Sequence, residues 1–266
     1  MTRALPRASL HSAPLVRFLT EHALLAPQPA QGHVGERLGQ WLDFRQAIPL
    51  HALLQSGDQP VATPPARAVA NASAVRAHVD KARQLLSASI LHATPVPGTP
   101  RIPLPADAPE QPLKLSQAWE PYRRYASTHQ RQMESSIETL RTQVRATVAH
   151  ASAALHQLAL LDAAYEQALH EREARLLASL PAKMEIRFMH LAGAAPAPAE
   201  PEPETPPAPT DKRAKTQAPP APPKPQPKPD WLLQFEAELQ QALLAELDLR
   251  LQPVLGLVDA YQAQQP

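Results

Sequence analysis

The chain has 266 residues, 33 of them proline and none cysteine, and its 26 lysines and arginines nearly balance 25 aspartates and glutamates, for a net charge of +1. That balance creates no field that demands a nucleic acid or an anionic membrane as partner. The lack of thiols excludes disulfides, thiolate catalysis and cysteine-based zinc sites.

Alanine and leucine, strong helix formers, dominate the apolar share, and aromatics are only 4%. No run alternates apolar and polar residues with β-branched enrichment, so the expected class is all-α, a helical bundle. No apolar run approaches the roughly 18 residues of a membrane span. The basic start (Arg3, Arg7) leads into an apolar segment broken by Arg17, Glu21 and His22, so a signal peptide is not expected and a cytoplasmic location is.

In chain order, Ser12, Ala13 and Pro14 read as a helix start with a serine cap, continued by Leu15, Phe18 and Leu19 to about Leu25. A short helix is expected over Val34 to Leu42, then a brief turn through Ile48, Pro49 and Leu50 ending near Gln55. Residues 57–67 read as irregular. A cleaner helix spans roughly Ala68 to His92, burying Val75, Val79, Ala82, Leu86 and Ile90 and leaving Arg76 and Asp80 on a solvated face. Thr94 to Pro112 is proline-rich and expected to be extended.

The central stretch, Tyr122 to Leu180, contains neither proline nor glycine. Tyr122, Tyr125, His129, Met133, Ile137, Leu140, Val144, Val148, Ala151, Leu155 and Leu158 recur at about 3.6 residues, the helical period with one buried face. The stripe is expected to continue through Tyr165, Leu169, Leu176 and Leu180. As one rod this stretch would reach about 88 Å, about twice the diameter of a domain of this size. A kinked pair or hairpin divided near Ser152, with Ser152 as N-cap, is therefore expected. Pro181 opens a short helix through Met184, Phe188 and Leu191 to Gly193.

Three units follow from this: a bundle over 10–193, a disordered proline-rich linker over 194–229, and a C-terminal docking helix over 230–262. The linker has an acidic half (Glu200, Glu202, Glu204), a basic half, and too little apolar surface to fold. Asp230 caps the last helix, which carries Trp231, Leu232, Phe235, Leu239, Leu243, Leu247 and Leu251 on one side and is expected to break at Pro253 and Gly256. Such a stripe must be covered, either by the chain's own bundle or by a partner's groove.

The stretches Glu36–Asp43, Tyr122-Arg123-Arg124, Leu158–Ala163, Arg187-Phe188 and Ala245–Pro253 resemble a bacterial family known only as a domain of unknown function. The resemblance spans most of the residues expected to fold and brings no catalytic residues with it. It implies a cytoplasmic accessory of an envelope assembly.

No reaction chemistry emerges from the motifs, and no enzyme, cofactor or metal is expected. His170-Glu171 lacks the second histidine of a zincin motif, and His150 and His156 fall on different helix faces. Asp162 and Glu166 are spaced for a carboxylate pair but lack the Glu-x-x-His companion of bundle metal sites. Arg123, Arg124, Arg131, Arg141 and Arg145 make the first half of the central helix basic; a nucleic-acid surface would need them on one face, and their spread reads as a solvated surface. Trp41, Trp119, Tyr122 and Tyr125 are expected to fill core. The expected role is structural or adaptor-like, assembling proteins through the last helix, with nucleic-acid association through the five arginines as the alternative. Composition gives no oligomeric state.

Overall fold

The computed structural model describes residues 13–26, 44–55, 71–105, 115–194 and 228–264. All regular structure among them is helical: α1 (Pro14–Glu21), α2 (Phe44–Gln55), α3 (Ala72–His92), α4 (Leu115–Ala149), α5 (Ala153–Leu177), α6 (Leu180–Ala194) and α7 (Asp230–Ala263). The expected helix at Val34 to Leu42, with Trp41, and the irregular 57–67 lie outside the described residues. So does the proline-rich linker, apart from Ala194, Lys228 and Pro229.

The central stretch is a helical hairpin. α4 ends at Ala149, and Ser152 caps α5, its Oγ accepting from the Leu155 N–H at 3.2 Å. Contacts then run in opposite chain directions: Arg145 meets Asp162, while fifteen residues earlier Gln130 reaches the Leu177 carbonyl. The helical stripe of α4 is buried at Tyr122, Tyr125, His129, Met133, Ile137, Leu140, Val144 and Val148. On α5 it weakens. Tyr165 and Leu169 are half-buried and Leu176 is 63% exposed, while Leu180 in α6 is buried.

α7 is the axis of the core. It packs against α1, α3, α4, α5 and α6, whereas α2 lies on α5. Leu232, Phe235, Leu239, Leu243, Leu247 and Leu251 are fully buried, and Trp231 packs against the same core. The stripe weighed above as a docking surface thus faces the chain's own bundle. Phe188 and Phe235 meet edge-on with ring centroids 5.0 Å apart; Tyr122 and Trp119 close on both, knotting α4, α6 and α7 together.

Several local expectations are corrected. α7 runs through Pro253 and Gly256 to Ala263. Buried Val254, Leu257, Val258 and Tyr261 continue its face there, and burying four large side chains outweighs the roughly 3 kcal/mol of an interior proline. The stretch ending at Gln55 is a 12-residue helix rather than a brief turn. α3 starts later than Ala68, capped by Asn71, whose side chain accepts from the Ser73 N–H at 3.1 Å. The N-cap position of α1 is Ala13, without a side-chain bond, while Ser12 lies outside the described residues; the helix ends at Glu21. There Ala23 adopts φ 55° while the Leu24 N–H reaches the Leu19 carbonyl at 2.8 Å, a left-handed stop that halts the helix before Leu25.

Candidate functional site: an arginine-lined groove

Because α7 is buried on most sides, its acidic side chains need partners inside the bundle. Each buried one has one. Glu236 accepts from the Tyr122 hydroxyl at 2.7 Å and from Lys228 Nζ at 2.6 Å. Glu238 accepts two bonds from Arg187 and one from Gln234. Burial works to raise the Glu238 pKa, and those hydrogen bonds overcome it, so the carboxyl ends below the usual range. Glu246, wholly inaccessible, takes bonds from Arg250 at 2.9 Å and Gln130 at 2.9 Å, and burial nonetheless pushes its carboxyl up.

The hairpin sorts the five arginines of α4. Arg141 and Arg145 face Asp162 and Glu166 of α5: Arg141 reaches Asp162 Oδ1 at 2.6 Å, Arg145 reaches Asp162 Oδ2 at 2.7 Å, and both contact Glu166. Their side chains are 12% and 18% exposed, so the bland reading of a solvated surface fails for these two. Asp162 and Glu166 do form a pair on one face, and what they hold is two guanidinium groups.

Arg123, Arg124 and Arg131 are exposed and line one open groove of about 570 Å³ with Glu120, Ser127, Gln130, Glu134, Ala174, Ala178 and Arg250. α4 forms one wall. The junction of α5 and α6 supplies the small residues Ala174 and Ala178, and Arg250 of α7 reaches in from the core. Gln130 fixes the seam, donating both to the Leu177 carbonyl at 3.0 Å and to Glu246. Arg250 is neutralised by Glu246 and contributes donors rather than charge.

Within the groove, Arg123 clasps Glu120 through Nε at 2.7 Å and Nη2 at 2.8 Å, and Arg124 Nε joins the same carboxylate at 3.0 Å. The Arg123 and Arg124 bonds hold the Glu120 carboxyl down at about 2. Arg131 differs. It bonds only within its own helix, to the Ser127 carbonyl at 3.3 Å and the Thr128 hydroxyl at 3.4 Å, and no carboxylate stands within ion-pair distance among the described residues. The groove therefore offers two guanidiniums that share one carboxylate and a third that has none.

Arg250, Gln130 and Glu120 were not singled out from the sequence as members of this site. The Glu120-x-x-Arg123-Arg124 spacing, i to i+3 and i+4 on a helix, was the available signal. Elsewhere, His156 Nδ1 lies 3.3 Å from the Ala149 carbonyl at the hairpin turn, and His150 and His170 are exposed. No helix of the described residues is long and apolar enough to cross a membrane. No curated protein and no solved structure matches the chain. A family model described as "Protein of unknown function (DUF3348)" matches residues 1–263, and the chain belongs to that family.

Proposed function

We propose that the protein is a non-enzymatic adaptor that assembles other proteins, and that it does so through the α4 groove rather than through its last helix. The observation that carries this is the division of the arginines: Arg141 and Arg145 are consumed by the hairpin, while Arg123, Arg124 and Arg131 share one open groove. Arginine is enriched at the centres of protein interfaces, where its planar fork gives directional bonds. The α7 stripe is unavailable, since removing it from the core would expose six fully buried side chains. The envelope-accessory form of this reading rests on the resemblance alone.

A photo-crosslinking amino acid in place of Ser127, at the groove, tests the reading against the same group in place of Lys81, on the exposed side of α3. A discrete protein crosslinked in native extract from position 127 only, and lost in Arg123→Ala/Arg131→Ala, is the expected result. Crosslinks to nucleic acid, or none at position 127, would contradict it.

Nucleic-acid association is the second reading, supported by the same three arginines on one face. It requires binding that falls steeply with added salt. Absence of any gel shift with single- or double-stranded DNA at low salt would remove it.

A further inference from the structure

Taking the adaptor reading as given, we infer that the groove receives an acidic polyproline-type segment of a partner protein, with carboxylates three residues apart seated on Arg124 and Arg131. Three observations converge on this ligand class.

The first is charge. Among the described residues Arg131 has no carboxylate, and Arg123 and Arg124 divide one between them. Within its own helix the Arg123 fork closes on Glu120 with two bonds, the geometry guanidinium and carboxylate adopt together, so carboxylate is the group these forks match.

The second is spacing. Arg124 and Arg131 are seven residues apart on one helix, a rise of about 10.5 Å, and nearly in line along it. A polyproline helix repeats every three residues and rises about 3.1 Å per residue, so acids at i and i+3 point the same way about 9 Å apart. The chain's own acidic run sets Glu200, Glu202 and Glu204 on alternate residues, which does not match that repeat.

The third is discrimination. Glu120 and Glu134 line the same groove. A nucleic-acid strand carries a charge on every nucleotide, one per about 3.4 Å of duplex axis, and cannot avoid them, whereas a segment with spaced carboxylates passes them with uncharged residues. The floor at Ala174 and Ala178 projects only methyl groups, which leaves room for proline rings, and the volume of about 570 Å³ falls within the range of roughly 300–1,000 Å³ of ligand-holding clefts.

Fluorescence polarisation with the full chain tests this, using a labelled peptide of repeating Glu-Pro-Pro and its Gln-Pro-Pro counterpart. The glutamate peptide is expected to bind at least about tenfold tighter than the glutamine one, a difference of about 1.4 kcal/mol. Arg131→Ala should weaken it by about the same factor, and Arg101→Ala, on the exposed segment before α4, should leave it unchanged. Arg131 bonds only to its own helix, so an unchanged melt shows that the variant folds. Equal binding of the two peptides, no binding, or displacement by an equimolar thymidine oligonucleotide would overturn the inference. So would tighter peptide binding by the Glu200→Gln/Glu202→Gln/Glu204→Gln chain, which would give the groove to the protein's own acidic run. A partner crosslinked at position 127 together with any of these outcomes would sink this inference and leave the adaptor reading standing.

Discussion

Arg187 of α6 and Glu238 of α7 meet through two parallel hydrogen bonds of 2.7 and 2.8 Å, with the Glu238 side chain only 9% exposed. His22, at the C-terminal cap of α1, lies 3.8 Å from the same carboxylate. Three elements that are distant in sequence thus converge on one buried charge. Arg187→Ala leaves that charge without its main partner and is expected to cost about 3 kcal/mol. Arg187→Met with Glu238→Leu removes both charges and should restore most of the loss. Urea unfolding of the two variants measures this; equal losses in both would show that the unpaired Glu238 charge is not what the alanine variant suffers from.

The Arg141, Arg145, Asp162 and Glu166 quartet predicts a second coupling. Asp162→Ala sets two half-buried guanidiniums against Glu166 alone and should destabilise by about 2 kcal/mol. A double-mutant cycle between Arg145 and Asp162 should give a coupling of about 1 kcal/mol. Additive losses would mean that the α4–α5 register is held by its apolar contacts.

How far the sequence reaches is visible at this quartet. The helical pitch of α4 is written in its apolar spacing, and the hairpin break is written in Ser152, because an N-cap is a local signal of one side chain to one backbone N–H. The sorting of the arginines is not written there. Arg124 and Arg131 lie nearly in line along α4 and Arg145 about 60° round from Arg124; what separates them is the returning helix, which brings Asp162 and Glu166 opposite Arg145 but Ala174 and Ala178 opposite the groove. That depends on hairpin register, a tertiary quantity. The run of α7 through Pro253 was hidden for a related reason: local propensity opposes it, and only the burial of Val254, Leu257 and Val258 overrides it.

Helix ends offer a stabilising change. Ala93 caps α3 at φ 50°, a left-handed conformation that costs an L side chain about 1 kcal/mol or more. Ala93→Gly removes that strain at some cost in unfolded-chain entropy and should raise stability by about 0.5 kcal/mol. A lower denaturant midpoint would contradict the assigned backbone conformation.

His129 is fully buried beside Tyr125, and neither ring nitrogen has a hydrogen-bond partner among the described residues. Burial lowers its pKa to about 4, with the Ile102 backbone and the Gln132 side chain pulling weakly the other way. Above about pH 6.5 neither the folded nor the unfolded chain protonates it; between there and pH 4 only the unfolded chain does. Stability from this site is therefore complete above pH 6.5 and falls with pH to a loss of about 3 kcal/mol near pH 4. Relative to wild type, His129→Phe should flatten this part of the stability profile. Parallel profiles for the two proteins would mean that His129 keeps its ordinary pKa.

The division of one arginine row into a free set and a locked set is tested most directly by phenylglyoxal modification of the native protein, read residue by residue by mass spectrometry. Arg131 should modify fastest, Arg141 and Arg145 should lag at least about tenfold until the protein is unfolded, and a saturating glutamate–proline peptide should protect Arg131. If Arg141 and Arg145 react as fast as Arg131 in the folded chain, the quartet does not hold them and the groove is no more than one part of an evenly exposed basic surface.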